Sequence, residues 1–441
     1  MNDAVKILVI TVPSWNSKVG ANSWATLLDG YLPENLASIY IRDERPDSTV
    51  CSRYFNISEN KIIKSILRRG TKTGTEVSAA PLSDYVDEDL QAHNARYFKM
   101  KKKRRYSMLL AREILWKLGK WRTPELDEFL DGFQPDIILH SMDGYIHLNR
   151  IIEYAVKRTG AKAIGYIWDD NFTYKQSSAL GYKIYRFFQR RSLKKLAKLT
   201  SEFFAISPFT KKEADAFFGI NCHLLTKPLL QEPVAQKYSG NHPIRMVYTG
   251  SLIIGRDRSL LRISEALKEV NRGQIRITLD VYTQTVLPDE TLAQIQSESC
   301  RVHKPIPQAE ALQKQNEADV LLFLEDIDGK DAKVARLSFS TKITDYLSTG
   351  KCIFAVGNRD TAPMQYFIEN KAAIVCCLVD EIANNLKLLC GDTRLLDAFA
   401  ENACISARKN HDPTCIRKVF DNVIASAAPK IRKLEVEDVP T

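Results

Sequence analysis

A chain of 441 residues is longer than one hydrophobic core usually serves, so we expect two domains. Its 44% hydrophobic and 26% charged residues are typical of a globular protein, and no apolar run is long enough to span a bilayer. The net charge of +10 indicates an anionic partner: a phosphorylated ligand, an acidic membrane surface or nucleic acid. Nine cysteines without a C-x-x-C pair predict reduced thiols in a cytoplasmic protein and argue against a disulfide framework or a zinc site.

The first half of the chain alternates between apolar strands and helices. Residues 5–12 (VKILVITV) form an unbroken apolar run that predicts a strand buried on both faces, and a loop and a helix follow. Further strands are predicted at 135–140, 161–168 and 201–207, with a helix before the second of them that ends at Gly160. This alternation is typical of a doubly wound α/β domain.

The sequence near residues 225–243 is rich in proline, glycine and polar residues, which predicts a linker between domains. The alternation then starts again, with strands predicted at 245–250, 318–325 and 352–357. The predicted fold class is therefore α/β, with two Rossmann-like doubly wound domains. Its parts are a first domain over 1–230, a second domain over 243–405, and a C-terminal helix and tail over 406–441 that packs back on the first domain.

The stretch SFSTKITDYLSTGKCIFAVG (338–357) predicts a short helix followed by a buried strand. Lys342 and Asp345 lie one turn apart on this helix, and Ser340 or Thr341 is predicted as its N-cap. A helix N-terminus with hydroxyls and a lysine can bind phosphate, and an aspartate one turn later can accept hydrogen bonds from a ribose diol. The alternative, which the spacing alone favours, is a capped surface helix with an ion pair.

The stretch YTGSLIIGRDRSLL (248–261) predicts a strand, a glycine turn, a loop that carries Arg256 and Arg258, and then a helix. Ligands of α/β sheets collect at the carboxyl ends of the strands, so both arginines are expected to face the same crevice as Lys342. Three cations that converge on one crevice suit a diphosphate. The alternative is a pair of ordinary solvated arginines.

Together these stretches resemble the GT-B glycosyltransferases, and glycosyltransferase family 4 (group 1) in particular. That family has a glycine and an arginine after the first strand of its second domain, where this chain has Gly250 and Ser251. It also has a spaced pair of glutamates before a GKPVVA-like strand. Here Leu337 and Asp345 stand at the places of the two glutamates, and GKCIFAVG (350–357) follows.

The resemblance implies that the two domains face each other across a cleft. It implies a nucleotide-diphosphate sugar as donor substrate, with no other cofactor, no bound metal and retention of the anomeric configuration. The donor-binding residues that it implies are Gly250, Ser251, Arg256, Arg258, Ser340, Thr341, Lys342 and Asp345. The first domain would bind the acceptor.

Gly20 and Ala21 resemble the family's glycine loop in the acceptor domain, where small residues let backbone amides approach a substrate; a plain turn is the alternative. The predicted strand ends nearby carry four candidate catalytic residues, His140, Asp143, Asp169 and Asp170. Adjacent carboxylates can shift each other's pKa and act as a base or as an electrostatic stabiliser. The alternatives are a helix N-terminal signal for the adjacent aspartates and a core position for the histidine.

Residues 182–199 (YKIYRFFQRRSLKKLAKL) predict an amphipathic helix. One predicted face carries Tyr182, Tyr185, Phe188, Leu196 and Leu199, and the other carries cations that include Arg186. With the basic run at 101–105 (KKKRR), this helix predicts peripheral attachment to the anionic inner face of the plasma membrane, where a lipid-linked acceptor would be reached. The alternative is a core-packed helix with a solvated basic side, and no nucleic-acid module is recognisable.

The leading hypothesis is a cytoplasmic glycosyltransferase of hexosyltransferase type that extends a cell-surface polysaccharide or a related glycan, with a glycan or lipid-linked acceptor. One alternative is a nucleotide-sugar 2-epimerase of the GT-B fold. Another is a catalytically silent partner subunit, which Leu337 in place of the first glutamate supports. A dinucleotide oxidoreductase is disfavoured because no G-x-G-x-x-G follows the first strand of either domain.

Overall fold

The computed structural model describes residues 5–15, 23–68, 70–79, 106–229, 231–238, 240, 243–327 and 329–428. Gly20, Ala21, the basic run at 101–105 and the tail from 429 lie outside the described residues, and what the sequence predicts for them stays a prediction. All nine cysteines lie in the described part, and none of them forms a disulfide. None of the described helices combines the length and the apolar character needed to cross a bilayer.

The first domain is built on a mostly parallel sheet. Its strands are β1 (Ile7–Thr11), β2 (Leu36–Tyr40), β3 (Arg53–Ile57), β4 (Gly74–Val77), β5 (Ile137–Ser141), β6 (Lys162–Ile167), β7 (Thr200–Ala205) and β8 (His223–Leu224). They lie in the order β4-β3-β2-β1-β5-β6-β7-β8, and all neighbours are parallel except β3 and β4. Every residue of β1, β2 and β5 is buried, as expected for strands covered on both faces.

Helices connect and cover these strands. They are α1 (Ser23–Leu27), α2 (Glu59–Leu67), α3 (Tyr106–Leu118), α4 (Pro124–Phe133), α5 (Ile146–Thr159), α6 (Leu180–Ala197) and α7 (Pro208–Phe218). Local signals set several of their ends. The Ser207 hydroxyl accepts a hydrogen bond from the Thr210 amide at 3.1 Å at the start of α7. Gly160, with φ of 71°, ends α5 in the left-handed region as predicted.

The second domain repeats the arrangement with a fully parallel sheet. Its strands are β9 (Ile244–Thr249), β10 (Ile277–Tyr282), β11 (Cys300–His303), β12 (Val320–Leu324), β13 (Cys352–Val356) and β14 (Ile374–Cys376), in the order β11-β10-β9-β12-β13-β14. Its helices are α8 (Arg256–Val270), α9 (Asp289–Ile295), α10 (Gln308–Glu317), α11 (Lys342–Leu347), α12 (Ala362–Asn370), α13 (Val379–Gly391), α14 (Arg394–His411) and α15 (Pro413–Ala427). The predicted class of two Rossmann-like α/β domains is confirmed.

The last helix, α15, packs against the first domain. The Phe420 ring lies 6.3 Å from the Tyr31 ring and 5.8 Å from the Phe204 ring, centroid to centroid. Beside these rings the Tyr31 hydroxyl donates a hydrogen bond to the Asp421 carboxylate at 3.0 Å. The linker is held by the preceding helix, because the Leu229 amide donates to the His411 carbonyl at 3.0 Å. The two domains therefore share one apolar seam as well as a linker.

Replacing Phe420 by alanine should loosen α15 from the first domain. Phe420 is fully buried, so its truncation leaves a cavity at the seam and removes about 3–5 kcal/mol of packing. We expect a lower melting temperature and faster proteolysis within α15. Leu388→Ala on α13, where the side chain is 56% exposed, is the matched control and should melt like the wild type. Equal melting temperatures for all three proteins would contradict this account of the seam.

Candidate active site

A cavity of about 350 Å³ lies at the carboxyl ends of the strands of the second sheet. Its walls come from the ends of β9 and β10, from the loop after β11 and from the start of α11. The first domain and the linker also contribute, through Thr26 and Lys227. The cavity therefore lies between the domains, at the edge where parallel α/β sheets bind ligands.

Lys342 and Gly250 meet at the wall of this cavity. The Lys342 ammonium donates a hydrogen bond to the Tyr248 hydroxyl at 3.2 Å and lies 4.4 Å from the centre of the Tyr248 ring. Gly250 has φ of 135°, and a Cβ at this position would lie 2.0 Å from the lysine Nζ. Glycine is favoured here because other residues rarely adopt this φ, and a side chain at this position would displace the ammonium. The glycine turn and the lysine, more than 90 residues apart in sequence, form one unit.

Burial of the ammonium lowers the pKa of Lys342 to about 7, and the positive charge of Arg256 adds to the effect. Glu325 and Asp345 act in the opposite direction. The lysine can therefore lose or gain its proton near neutral pH. An anion placed beside Nζ would restore its full charge, so the side chain is poised to receive a negatively charged group.

Asp345 also lines the cavity, and its carboxylate accepts a hydrogen bond from the Lys227 ammonium at 2.5 Å. Lys227 belongs to the linker, and the prediction from sequence did not single it out. Thr341, one of the two residues predicted as N-cap, occupies the N-cap position of α11, but its hydroxyl makes no capping hydrogen bond. The reason is that Thr341 has helical dihedral angles, φ of −60° and ψ of −23°, rather than the extended backbone of a capping residue.

Arg256 and Arg258 are held by carboxylates at the end of β12. Arg256 donates to the Glu325 carboxylate at 2.8 Å, and Arg258 donates to both Asp326 and Asp331 at 2.9 Å. Glu325 and Asp326 are buried, so the arginines neutralise charges that would otherwise be unpaired in the interior. Among the described residues that line the cavity, the cations are Lys227 and Lys342, and neither arginine is one of them.

The rest of the cavity wall is mostly uncharged. It includes Tyr282 and Thr283 after β10, Pro305 and Ile306 after β11, and Leu312 on α10. The Tyr282 ring stacks on His303 with centroids 4.7 Å apart. These residues come from three separate segments, and no local sequence signal marks them. An apolar wall beside two cations and a carboxylate suits a ligand with a flat ring, a sugar and phosphates.

A second cavity, also of about 350 Å³, lies in the first domain at the ends of β5 and β6. Asp143 and Asp169 line it, together with Asn171, Tyr185 and Gln189. The Asp143 carboxylate accepts hydrogen bonds from the Ser141 hydroxyl at 2.5 Å and the Trp168 indole at 3.2 Å. These groups can donate and accept several hydrogen bonds, which suits a ligand rich in hydroxyls.

Both carboxylates of this cavity have raised pKa values. Burial raises the pKa of Asp143, and hydrogen bonds from Ser141 and Trp168 limit the rise. Desolvation by the surrounding protein raises the pKa of Asp169 to about 6, although its carboxyl opens to the cavity. A hydrogen bond from Ser338 opposes this rise, while the charges of Asp143 and Asp170 add to it. Asp169 is thus ionised at neutral pH but is basic enough to accept a proton.

The other two candidate catalytic residues are held within the fold. The Asp170 carboxylate is buried and accepts hydrogen bonds from the Thr173 amide at 2.9 Å and hydroxyl at 2.5 Å, which closes a turn rather than capping a helix. The fully buried His140 contacts the Thr200 hydroxyl at 3.2 Å and the Ser141 carbonyl at 3.3 Å. Burial lowers the pKa of His140 to about 4. Neither residue is among the described residues that line the cavity.

The segment before α11 connects the two cavities. Leu337 is fully buried in the apolar core of the first domain, and its carbonyl accepts a hydrogen bond from Thr210 at 2.9 Å. The next residue, Ser338, donates its hydroxyl to the Asp169 carboxylate. A few residues later, Lys342 and Asp345 reach the cavity between the domains. The block predicted from sequence therefore contacts both cavities.

Two Rossmann-like domains with a cavity between their strand ends define the GT-B fold. Several solved GT-B structures are similar over almost the whole chain. One is Anabaena HepE in complex with UDP, with a TM-score of 0.59 and 10% identity over 96% of this chain and 100% of that chain. A second is a Burkholderia xenovorans trehalose-phosphate synthase in complex with glucose-6-phosphate, with a TM-score of 0.57 and 12% identity over 96% of this chain and 99% of that chain. A third is the lipopolysaccharide outer core galactosyltransferase WaaB, with a TM-score of 0.56 and 12% identity over 96% of this chain and 99% of that chain. No protein-family model and no curated protein sequence matches the chain.

A methionine at position 342 should stabilise the ligand-free protein in a pH-dependent way. The wild-type lysine has a folded-state pKa near 7, below its unfolded value, so the unfolded chain binds more protons between these two pH values. Wild-type stability therefore rises with pH through this window. We expect Lys342→Met to raise the melting temperature most below pH 7, and its advantage to shrink at higher pH.

Thermal unfolding at pH 6, 7, 8 and 9 measures this effect. Lys64→Met, which changes an exposed lysine on α2, is the control and should show no such trend. An advantage for Lys342→Met that stays constant across these pH values would show that the lysine is not held in a desolvated environment.

Proposed function

We propose that the chain is a glycosyltransferase that moves a sugar from a nucleoside diphosphate sugar to a glycan or lipid-linked acceptor. The observation that carries the proposal is the Lys342 ammonium, enclosed against Gly250 and Tyr248 at the wall of the cavity between the domains. A lysine with so low a pKa in a cavity at strand ends is suited to an anionic ligand. Complexes of the similar HepE structures with UDP and UDP-glucose support the choice of donor.

In this proposal the donor occupies the cavity between the domains. Lys342 contacts the diphosphate, together with the backbone amide of Ser251; the Gly250 amide before it donates to the Tyr282 carbonyl at 2.9 Å and holds the turn in place. Asp345 accepts hydrogen bonds from ribose hydroxyls, and Lys227 moves between the carboxylate and the phosphates. The apolar wall receives the base. Arg256 and Arg258 act through the carboxylates that they neutralise, and Arg256 adds positive potential near Lys342.

The acceptor occupies the cavity of the first domain. Its hydroxyl oxygen approaches the anomeric carbon on the same face as the phosphate, and it forms a bond to that carbon as the bond from the carbon to the phosphate oxygen breaks. The nucleoside diphosphate leaves with the bonding electrons. Lys342 stabilises the negative charge that builds on the leaving group. Asp169 takes the hydroxyl proton, and Asp143 orients the acceptor through hydrogen bonds. By resemblance to family 4, we propose that the configuration at the anomeric carbon is retained, that the sugar is a hexose and that the product is a cell-surface polysaccharide or a related glycan.

A catalytically silent partner subunit is the second candidate, and one observation favours it. The position of the family's first glutamate is filled by Leu337, which is fully buried in the core of the first domain and therefore does not contact a donor. Such a subunit could keep the fold and the donor cavity without turnover.

Binding of nucleoside diphosphates tests the donor site directly. A ligand that binds only the folded protein stabilises it by about 2.7 kcal/mol at a concentration 100-fold above its Kd. We expect at least one of UDP, GDP, ADP and dTDP to raise the melting temperature of the wild type. Lys342→Ala should lose this ligand-induced shift, because the enclosed ammonium is gone, whereas Lys64→Ala on α2 should keep it. If none of the four nucleotides raises the melting temperature of the wild type, the proposed donor site is wrong.

Turnover distinguishes the two candidates. With the sugar conjugate of the diphosphate that binds, we expect the wild type to release nucleoside diphosphate, by transfer to added glycan or slowly to water. Asp169→Asn should lower this rate about 100-fold or more and leave the thermal shift unchanged, because the general base is lost while the donor cavity is intact. A wild type that binds the donor but releases no diphosphate with any acceptor would favour the silent subunit.

A further inference from the structure

Helix α6 presents an outward stripe that changes from apolar to basic along its length. Its first half exposes Leu180, Ile184, Phe187 and Phe188, with Phe187 53% and Phe188 47% exposed. Its second half exposes Arg191, Lys194, Lys195 and Lys198. These positions follow one another at intervals of three and four residues, so they share one side of the helix. The opposite side of α6 is buried, so this exposed apolar and basic stripe indicates a surface that binds another molecule or a membrane.

The buried side of α6 differs from the side predicted by sequence. Tyr182, Tyr185 and Leu196 of the predicted apolar face are buried, as in the alternative of a core-packed helix, whereas Phe188 was placed on the same face and is exposed. Arg186 was placed on the basic face and is instead buried, where its guanidinium donates to the Gln176 side chain at 2.6 Å and to the Asp170 carbonyl at 3.1 Å. Arg186 is thus a structural residue, because these acceptors replace the water that it loses.

Three cations of the outer side have no carboxylate partner among the residues that the structure describes: Lys183, Arg191 and Lys198. The neighbouring Lys195 pairs with Glu153, and Lys194 lies 4.9 Å from the Phe217 ring. Unpaired cations beside two exposed phenylalanines match an anionic lipid surface, where the rings enter the headgroup region and the cations remain beside the phosphates. Nucleic acid would be less well matched, since the apolar half of the stripe would gain little from phosphates.

The same helix borders the second cavity. Tyr185 and Gln189, on the buried side of α6, line that cavity together with Leu109 of α3, and α3 packs beside α6 through the rings of Tyr106 and Tyr182, 5.5 Å apart. One side of α6 therefore faces the proposed acceptor cavity, and the opposite side faces solvent. A surface that held the outer side of α6 would lie within one helix diameter of that cavity.

We propose that α6 lies in the headgroup region of an anionic bilayer, through Phe187 and Phe188 and the three unpaired cations, and holds the second cavity at the membrane surface. This placement extends the proposed function, because it brings the acceptor cavity to lipid-anchored acceptors. Binding of α6 to a membrane requires neither binding of the donor nor turnover.

Co-flotation with vesicles tests the proposal on the full chain. We expect the wild type to float with vesicles of phosphatidylcholine and phosphatidylglycerol, to float at least 10-fold less with phosphatidylcholine alone, and to be released by salt. The double variant Phe187→Ser/Phe188→Ser and the triple variant Lys183→Gln/Arg191→Gln/Lys198→Gln should each lower binding at least 10-fold. All five side chains are exposed, so the variants should fold.

The controls use exposed residues elsewhere. Leu388→Ser on α13 and the triple variant Lys61→Gln/Lys64→Gln/Lys72→Gln should bind vesicles like the wild type. The proposal is wrong if the α6 variants bind vesicles as well as the wild type does. It is also wrong if the wild type binds RNA but does not bind anionic vesicles. The thermal shift with nucleoside diphosphates is measured separately on every variant, so failure of the donor site and failure of membrane docking are distinguishable.

Discussion

The enclosed ammonium of Lys342 is the feature on which the site depends. It lies where a side chain on residue 250 would be, and it contacts the hydroxyl and the ring of Tyr248. Burial makes this charge unfavourable in the ligand-free protein, and the fall of its pKa to about 7 is the consequence. A diphosphate would remove that penalty. The buried charge of Lys342 destabilises the ligand-free protein, and the same charge would therefore favour binding of a diphosphate.

The segment from Leu337 to Asp345, which carries Lys342, also contacts the first domain and the linker. Leu337 packs into the first domain, Ser338 contacts Asp169, and Asp345 pairs with Lys227 of the linker. One short segment of the second domain thus contacts the first domain's core, its carboxylate cavity and the linker. Any movement of the domains relative to each other would change these contacts.

Long apolar runs allowed the main strands to be predicted, because a strand buried on both faces has no polar positions. Residues 5–12 and 352–357 are of this kind and contain β1 and β13. Residues 135–140 overlap β5, whose end also holds the buried polar residues His140 and Ser141. β3 and β4 were not predicted, since RYFNI and GTEV carry polar residues and have no such run. β4 lies at the edge of the first sheet and has only one buried residue, whereas β3 beside it is mostly buried in spite of its polar residues.

At the candidate site, residues could be predicted where local chemistry is distinctive: Gly250 in a turn after a strand, Lys342 and Asp345 one helical turn apart, and acidic residues at the ends of β5 and β6. Pairing between distant side chains could not be predicted. Nothing in the sequence indicates that Arg256 faces Glu325 or that Lys227 faces Asp345. A charge is drawn to whichever opposite charge the packed fold brings within reach, and that choice depends on long-range contacts.

The sequence by itself therefore determined the two-domain α/β architecture, because hydrophobic periodicity and turn residues act locally and repeat along the chain. It also indicated that the turn at Gly250 and the start of α11 lie at strand ends. Only the tertiary structure decided which of the candidate charges are neutralised in the interior and which line a cavity, and it buried His140 and Arg186 while exposing Phe188. The physical reason is that solvent access and electrostatic pairing are properties of the assembled packing, which no single segment contains.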